Sequence, residues 1–229
     1  MKLAIIGYGK MGRLIEQLAP EYGFTSIVTV DIGDDFAKAA GADVAIEFTA
    51  PEAVLGNIEK LAAMKLPVVV GTTGWLKHMD QVRAAVEKNG GALVWSPNFS
   101  VGVNVFLRVV REAAGLLADE NEYGAWAWEI HHDTKKDAPS GTMIKLVDEM
   151  KAAGYARNID VSSNRAGRHP GTHEIGFDSA ADTITLRHTA RSREGFARGA
   201  LKAAQWIIGK PGIGKQGVFE FSDVLFSGR

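Results

Sequence analysis

The sequence predicts an α/β protein in two parts, and three observations carry that prediction. Short β-branched apolar runs alternate with amphipathic stretches from the start to about residue 100. A glycine-rich run, Gly7-Tyr8-Gly9-Lys10-Met11-Gly12, follows the first apolar run directly. The rhythm then changes after Pro97-Asn98. Alternating strands and helices argue for a parallel sheet with helices on its faces, and the change of order beyond it argues for a second, α+β domain.

Taken in order, Leu3–Ile6 is a buried strand, and Arg13–Leu18 is the helix that the glycine run opens. Ile27–Asp31, Val44–Phe48, Pro67–Val70 and Leu93–Trp95 are further strands, each short, apolar and bounded by turn residues. Ala53–Ala63 and Met79–Lys88 carry apolar residues three and four apart and read as the intervening helices. Beyond Pro97, Val103–Leu117 is a long helix, and Ala125–His131 alternates Trp and Glu with smaller residues like a half-buried strand. A helix from about Ser140 to Ala153 and strands at Thr172–Phe177 and Thr183–His188 follow. The last helix, Gly195–Ile208, is expected to end at Gly209-Lys210-Pro211-Gly212, with a short Val218–Phe226 tail behind it. The expected division is 1–101 plus 200–229 against 102–199.

The chain has 229 residues, 46% hydrophobic and 23% charged, with a net charge of −1. That places it in the globular class and removes the basic footprint that nucleic acid or an anionic membrane would require. Its partners are expected to be small molecules or copies of itself. With zero cysteines there is no disulfide, thiolate zinc site or cysteine nucleophile, which suits the cytoplasm. No apolar run approaches about 18 residues, and Met1-Lys2 leads straight into a strand, so neither a membrane span nor a signal peptide is expected.

Gly7 to Gly12 is a GxGxxG between a strand and a helix, and Asp31 ends the second strand about twenty residues later, which is the Rossmann spacing. Gly7 would allow the tight turn, Gly9 the approach of a pyrophosphate, and Gly12 the packing of helix on strand. Asp31 would accept from the adenosine ribose hydroxyls, and with Ile32, Gly33 and Asp34 after it and no Arg or Lys adjacent, NADH is expected over NADPH. Phe48-Thr49-Ala50-Pro51, Gly71-Thr72-Thr73-Gly74 and Ser96-Pro97-Asn98-Phe99 stand at other strand ends, where open α/β sheets bind ligands. Gly71, Thr72 and Thr73 would approach the nicotinamide and its ribose, and Phe99 would lie against the ring.

Residues 130–142 gather two histidines, two lysines and a Pro-Ser-Gly-Thr turn. His131 and His132 are adjacent at a strand end and point to opposite faces, so one is chemical and the other supportive, and spacing alone does not say which. Lys135 adds a cation. Ser140 would cap the following helix, whose first amides, at Gly141 and Thr142, would favour a carboxylate. Two adjacent histidines without a third ligand at helix spacing, beside lysines, argue against a metal.

The run His131-His132-x-x-Lys135-x-Asp137-Ala138-Pro139-Ser140-Gly141-Thr142 resembles the dihydrodipicolinate reductase family. Gly71–Gly74, Pro97–Val103, Gly171-Thr172-His173-Glu174 and Ser192-Arg193-x-x-Phe196-Ala197-x-Gly199 resemble further family segments in family order, so the likeness spans essentially the whole chain. It implies NAD(P)H-dependent reduction of 4-hydroxy-tetrahydrodipicolinate to tetrahydrodipicolinate in the diaminopimelate branch of lysine biosynthesis. It implies His131 as proton donor, Lys135 as a second proton-handling or carboxylate-holding group, and His132, Gly141 and Thr142 as substrate-binding residues. Gly7, Tyr8, Gly9, Lys10 and Met11 would hold the pyrophosphate, Asp31 the ribose, and Gly71–Thr73 with Ser96, Pro97, Asn98 and Phe99 the nicotinamide. Residues 1–101 plus 200–229 would form the dinucleotide-binding domain. Residues 102–199 would form the substrate-binding and oligomerisation domain of a homotetramer, with a hinge that closes over the substrate. Many members carry Gly-x-x-Gly-x-Met-Gly where this chain has the shorter Gly-Tyr-Gly-Lys-Met-Gly. The first domain is also short, which again points to NADH or to use of both cofactors. Two other readings stay in view: a related dehydrogenase of another small amino or imino acid, and a catalytically silent nucleotide-binding regulator.

Overall fold

The computed structural model describes residues 1–209 and 216–227. The chain divides into two compact units, Met1–Val101 with the chain from Glu194 on, and Gly102–Arg193. The second break therefore falls at Glu194, at the start of the last long helix, where the sequence reading placed it at 200.

The first unit is built on β1 (Lys2–Ile6), β2 (Ser26–Val30), β3 (Val44–Glu47), β4 (Val68–Val70) and β5 (Ala92–Trp95), with β10 (Gly217–Glu220) returning from the end of the chain. All pair in parallel, in the order β10-β5-β4-β3-β1-β2. Because side chains alternate along a strand, each strand feeds two cores. Leu3, Ile5, Val44 and Ile46 meet α1 (Lys10–Leu18), α6 (Glu194–Ile208) and α7 (Phe221–Phe226) on one face. Ala4, Ile6, Ala45, Val68 and Leu93 meet α2 (Pro51–Ala63) and α3 (Met79–Lys88) on the other. Burial on both faces is why these strands read as continuous apolar runs. The order reverses between β1 and β3, so the crevice at their carboxyl ends is the topological switch point.

The Val218–Phe226 tail is β10 followed by α7: parallel pairing with β5 makes the strand, and Glu220 with Asp223 closes a capping box at the helix start. Residues 210–212 of the expected helix stop lie outside the described residues.

The second unit contains α4 (Val101–Leu116), β6 (Gly124–His131), α5 (Gly141–Ala152), β7 (Ile159–Arg165), β8 (Thr172–Asp178) and β9 (Thr183–Thr189). Its sheet runs β7-β6-β8-β9, parallel between β6 and β7 and antiparallel elsewhere. Phe106, Val110 and Ala114 of α4 and Met143, Leu146 and Met150 of α5 share one core with Ala127, Ile175 and Phe177 of the sheet. The strand β7 was not expected. Its sequence, Ile-Asp-Val-Ser-Ser-Asn-Arg, is polar after its third residue, and it is a strand because β6 supplies its partner groups. An edge position with one packed face tolerates that polarity.

Candidate active site

In the first unit the ladder hydrogen bonds run past the strand ends and set four loops side by side. Gly7 N donates to Val30 O at 2.8 Å, Phe48 N to Ile6 O at 2.9 Å, Gly71 N to Glu47 O at 2.9 Å and Ser96 N to Val70 O at 3.4 Å. The loop after β1 turns on Gly7, whose φ is +92° and whose added Cβ would stand 2.2 Å from Phe48 O. Gly12 packs equally closely, 2.3 Å from Gly7 O on the same construction, while a Cβ on Gly9 would meet nothing within 4 Å. Gly9 is the N-cap of α1, and no side chain caps that helix. Open space in front of uncapped amides at a positive helix end fits a pyrophosphate. Lys10 and Met11 form the first turn of α1, and Tyr8 is held by its hydroxyl on Glu16 and by Arg13 over its ring. Asp31 is exposed just past β2 and accepts from Ile32 N at 2.9 Å.

A buried carboxyl that the sequence reading did not single out organises this edge. Glu47, fully buried at the end of β3, accepts from the Thr49 hydroxyl and from Asn57 Nδ2 at 3.2 Å, and Thr49 N donates to Thr72 Oγ1 at 2.7 Å. Burial pushes Glu47 up, against the hydrogen bonds of Thr49, Thr72 and Asn57. Thr73 is exposed, and Ser96 is buried with its hydroxyl on Asn98 O at 2.8 Å. Phe99 departs from its expected place against the nicotinamide. Its side chain is 2% exposed and packs at a tilt against Phe221 with centroids 4.9 Å apart, so it is core, and only its backbone is left for a ligand. A large apolar ring beside an apolar helix gains more by burial than a strand-end loop can offer it.

In the second unit the site grows from register. On β6, Glu129 and His131 are two residues apart and share a face. Glu129 lies opposite Ser163 of β7 and His173 of β8, His173 lies opposite His188 of β9, and His131 lies opposite Arg165. A polar row therefore crosses the sheet, centred on a fully buried carboxylate. Glu129 Oε1 accepts from Ser140 N at 2.9 Å, Ser163 Oγ at 3.0 Å and Arg165 Nη2 at 2.8 Å, and Oε2 accepts from the Ser140 hydroxyl. Oε2 also lies 3.4 Å from His173 Nε2 and 3.6 Å from His131 Nδ1. Burial opposes ionisation of Glu129, but hydrogen bonds from His173, Ser140 and Arg165 outweigh it and hold the carboxyl well below the usual range. Burial, with His173, Lys135 and Arg165 nearby, pushes His131 down to about 4 against the attraction of Glu129.

The strand breaks after His131, and the two histidines separate. His131 is buried, whereas His132 is half-buried with Nδ1 2.7 Å from the Thr134 hydroxyl. Lys135 Nζ donates to both oxygens of Asp137, at 2.7 and 2.9 Å, and the Lys135 bond holds the Asp137 carboxyl below its ordinary value. Arg165 ties this loop down through Asp137 O. Ser140 caps α5, its hydroxyl accepting from Met143 N at 3.2 Å, with exposed Gly141 and half-buried Thr142 opening the helix. One serine thus links the helix start to the buried carboxylate.

Glu129, His131 and His173 bring ligand atoms within 4.8 Å of one another, a separation that a metal can bridge. The spacing argument against a metal misses this, because the cluster joins His131 to Glu129 two residues back on β6 and to His173 across the sheet on β8. The donors themselves argue otherwise. Three hydrogen bonds already fill one oxygen, a fourth occupies the other, and a guanidinium stands beside the carboxylate. Glu129, Arg165 and His173 were absent from the sequence-predicted site. The available signal was Glu129 itself, a charge on the face of β6 that period two assigns to the core.

Two family models match, the dihydrodipicolinate reductase N-terminus over residues 21–99 and the dihydrodipicolinate reductase C-terminus over residues 102–225. The chain belongs to the dihydrodipicolinate reductase family. A 4-hydroxy-tetrahydrodipicolinate reductase of Christiangramia forsetii is 36% identical, with 98% of each chain covered. One of Methanosarcina mazei is 35% identical, over 97% of this chain and 88% of its own. Among solved structures, a dipicolinate-bound dihydrodipicolinate reductase from Paenisporosarcina sp. TG-14 superposes with a TM-score of 0.77 at 20% identity, covering 99% of both chains. That likeness is one of fold. The dihydrodipicolinate reductase N-terminal match begins past the glycine loop, so the loop's reading rests on its own geometry.

Proposed function

We propose that this chain is a 4-hydroxy-tetrahydrodipicolinate reductase of the diaminopimelate route to lysine. It takes 4-hydroxy-tetrahydrodipicolinate, NAD(P)H and a proton to tetrahydrodipicolinate, NAD(P)⁺ and water. The observation that carries the reading is the β6–α5 connection. There a buried histidine, a lysine and a capped helix start lie within one short segment of a chain whose family acts on a cyclic dicarboxylate.

The first unit is the dinucleotide-binding domain. Gly7–Met11 would hold the pyrophosphate, Asp31 the ribose, and Gly71–Thr73 with the backbone of Ser96–Phe99 the nicotinamide end. NAD(P)H supplies the hydride when bound. The second unit is the substrate-binding domain and, in a homotetramer, the oligomerisation domain of a cytoplasmic enzyme. His131 holds the proton that the reduced ring takes up, and Lys135, His132 and the Gly141-Thr142 amides hold carboxylates. Lys135 exchanges Asp137 for a substrate carboxylate on binding. The finer preference is for NADH: Asp31 would repel a 2′-phosphate, and Lys38 in the same loop is engaged by Asp34.

The test is a coupled assay with the upstream synthase, following NADH and NADPH oxidation separately. Reduction with a higher kcat/KM for NADH is expected, together with competitive inhibition by pyridine-2,6-dicarboxylate. His131→Gln should lower kcat by about 10²-fold or more with a smaller change in KM, the range for losing a general acid. Wild-type kcat in that variant removes His131 from the chemistry, and no turnover by the wild type removes the assignment.

A further inference from the structure

Resting on the reaction and the His131 role proposed above, we infer that Glu129 is the positioning residue for His131. Its buried carboxylate keeps an imidazole proton on Nδ1, so that Nε2 is the atom that hands a proton to the substrate. The two side chains share a face of β6, and Nδ1 lies 3.6 Å from Glu129 Oε2. Nδ1 is buried and makes no hydrogen bond. With the proton on Nε2, the Nδ1 lone pair would face a carboxylate in a poorly solvated site, which is repulsive; with the proton on Nδ1 the same approach is attractive. Glycine at 171 keeps the space beside the other nitrogen clear, since a Cβ there would stand 2.9 Å from His131 Nε2.

Glu129 can act this way because it is fixed and charged. Ser140, Ser163 and Arg165 immobilise it from α5 and β7. The charged or titratable groups that act on His131 are Glu129 on its own strand, His173 on β8, Arg165 on β7 and Lys135 on the following loop. Glu129 is the one anion of the four, and the other three disfavour an imidazolium. A bound dicarboxylate adds negative charge from the substrate side, and His131 then carries a second proton. In the transfer, the Nε2–H proton passes to the ring carbon, the bond pair stays on Nε2 as its lone pair, and neutral imidazole with Nδ1–H remains against Glu129. Glu129 touches no reacting atom; it sets which nitrogen does.

The wild-type enzyme, labelled with ¹⁵N-histidine and without substrate, tests the tautomer directly, with the His131 signals identified by their loss in His131→Gln. Protonated Nδ1 and a pyridine-type Nε2 are expected near neutral pH, and the reverse tautomer overturns the proposal. Kinetics supply the second arm. In Glu129→Gln, kcat near neutral pH should fall about tenfold or more, while KM and the cofactor Kd move much less. The alkaline limb of kcat, which reports the protonated acid, should shift down by about one pH unit, one unit being tenfold in proton affinity. Glu129→Asp, which keeps the charge, should hold that limb near its wild-type position. An unshifted limb in folded Glu129→Gln also overturns the proposal, and if that variant does not fold the tautomer decides alone. The tautomer measurement needs no turnover, so its failure is separable from failure of the assigned reaction.

Discussion

Replacing Ser140 by Ala removes one hydroxyl from three relationships at once. That hydroxyl donates to the Glu129 carboxylate, accepts from Met143 N at 3.2 Å as the cap of α5, and lies 3.1 Å from His173 Nε2. Loss of the cap costs about 1 kcal/mol. Loss of a buried hydrogen bond to a charged group costs about 1.5–3 kcal/mol. Glu129 keeps Ser140 N, Ser163 and Arg165, so the carboxylate is not stranded, and the total should fall near 2–4 kcal/mol. Urea unfolding with hydrogen exchange at the α5 amides measures it in the unit concerned, since the two units need not unfold together. Ser140→Asp separates the two roles. Aspartate is a good N-cap but sets a second carboxylate against Glu129, so it should remain destabilised near neutral pH. A loss below about 1 kcal/mol in the alanine variant, or full stability in the aspartate variant, would refute the view that capping and the buried network share this oxygen.

In the first unit, Gly199→Ala would drive a Cβ to 1.7 Å from Phe99 O, a backbone atom that cannot swing aside, so α6 must move off the loop after β5. A loss of at least about 1–3 kcal/mol in urea unfolding and a weaker cofactor Kd are expected, and wild-type values for both would contradict the packing. Lys135→Ala breaks a partly exposed ion pair with Asp137, so stability should change by less than about 1 kcal/mol while substrate KM rises about tenfold or more. An unchanged KM would show that Lys135 binds no carboxylate.

Legibility followed range of interaction. The parallel sheet was readable because strands buried on both faces must be apolar throughout, and the glycine loop because Gly7 and Gly12 answer to contacts that admit no Cβ. The segment from His131 to Thr142 was readable because its groups are consecutive. Strand β7 was not, since five of its seven residues are polar and its partner lies 34 residues back in the chain at Ala125↔Ile159. Phe99 was misplaced because position at a strand end says where a residue is, not whether its ring turns to the crevice or to Phe221.

By itself, then, the sequence determined the two-part α/β class, the glycine loop between β1 and α1, the Ser140 cap and the run of titratable groups after β6, all set by local periodicity and short-range spacing. Only the tertiary structure decided which histidine is buried, that Glu129 stands behind it, and that Arg165 and His173 complete the cluster. Those facts depend on the register of β6 against β7 and β8. Register brings distant residues side by side through backbone hydrogen bonds, which are indifferent to side-chain identity and leave little trace in any one segment.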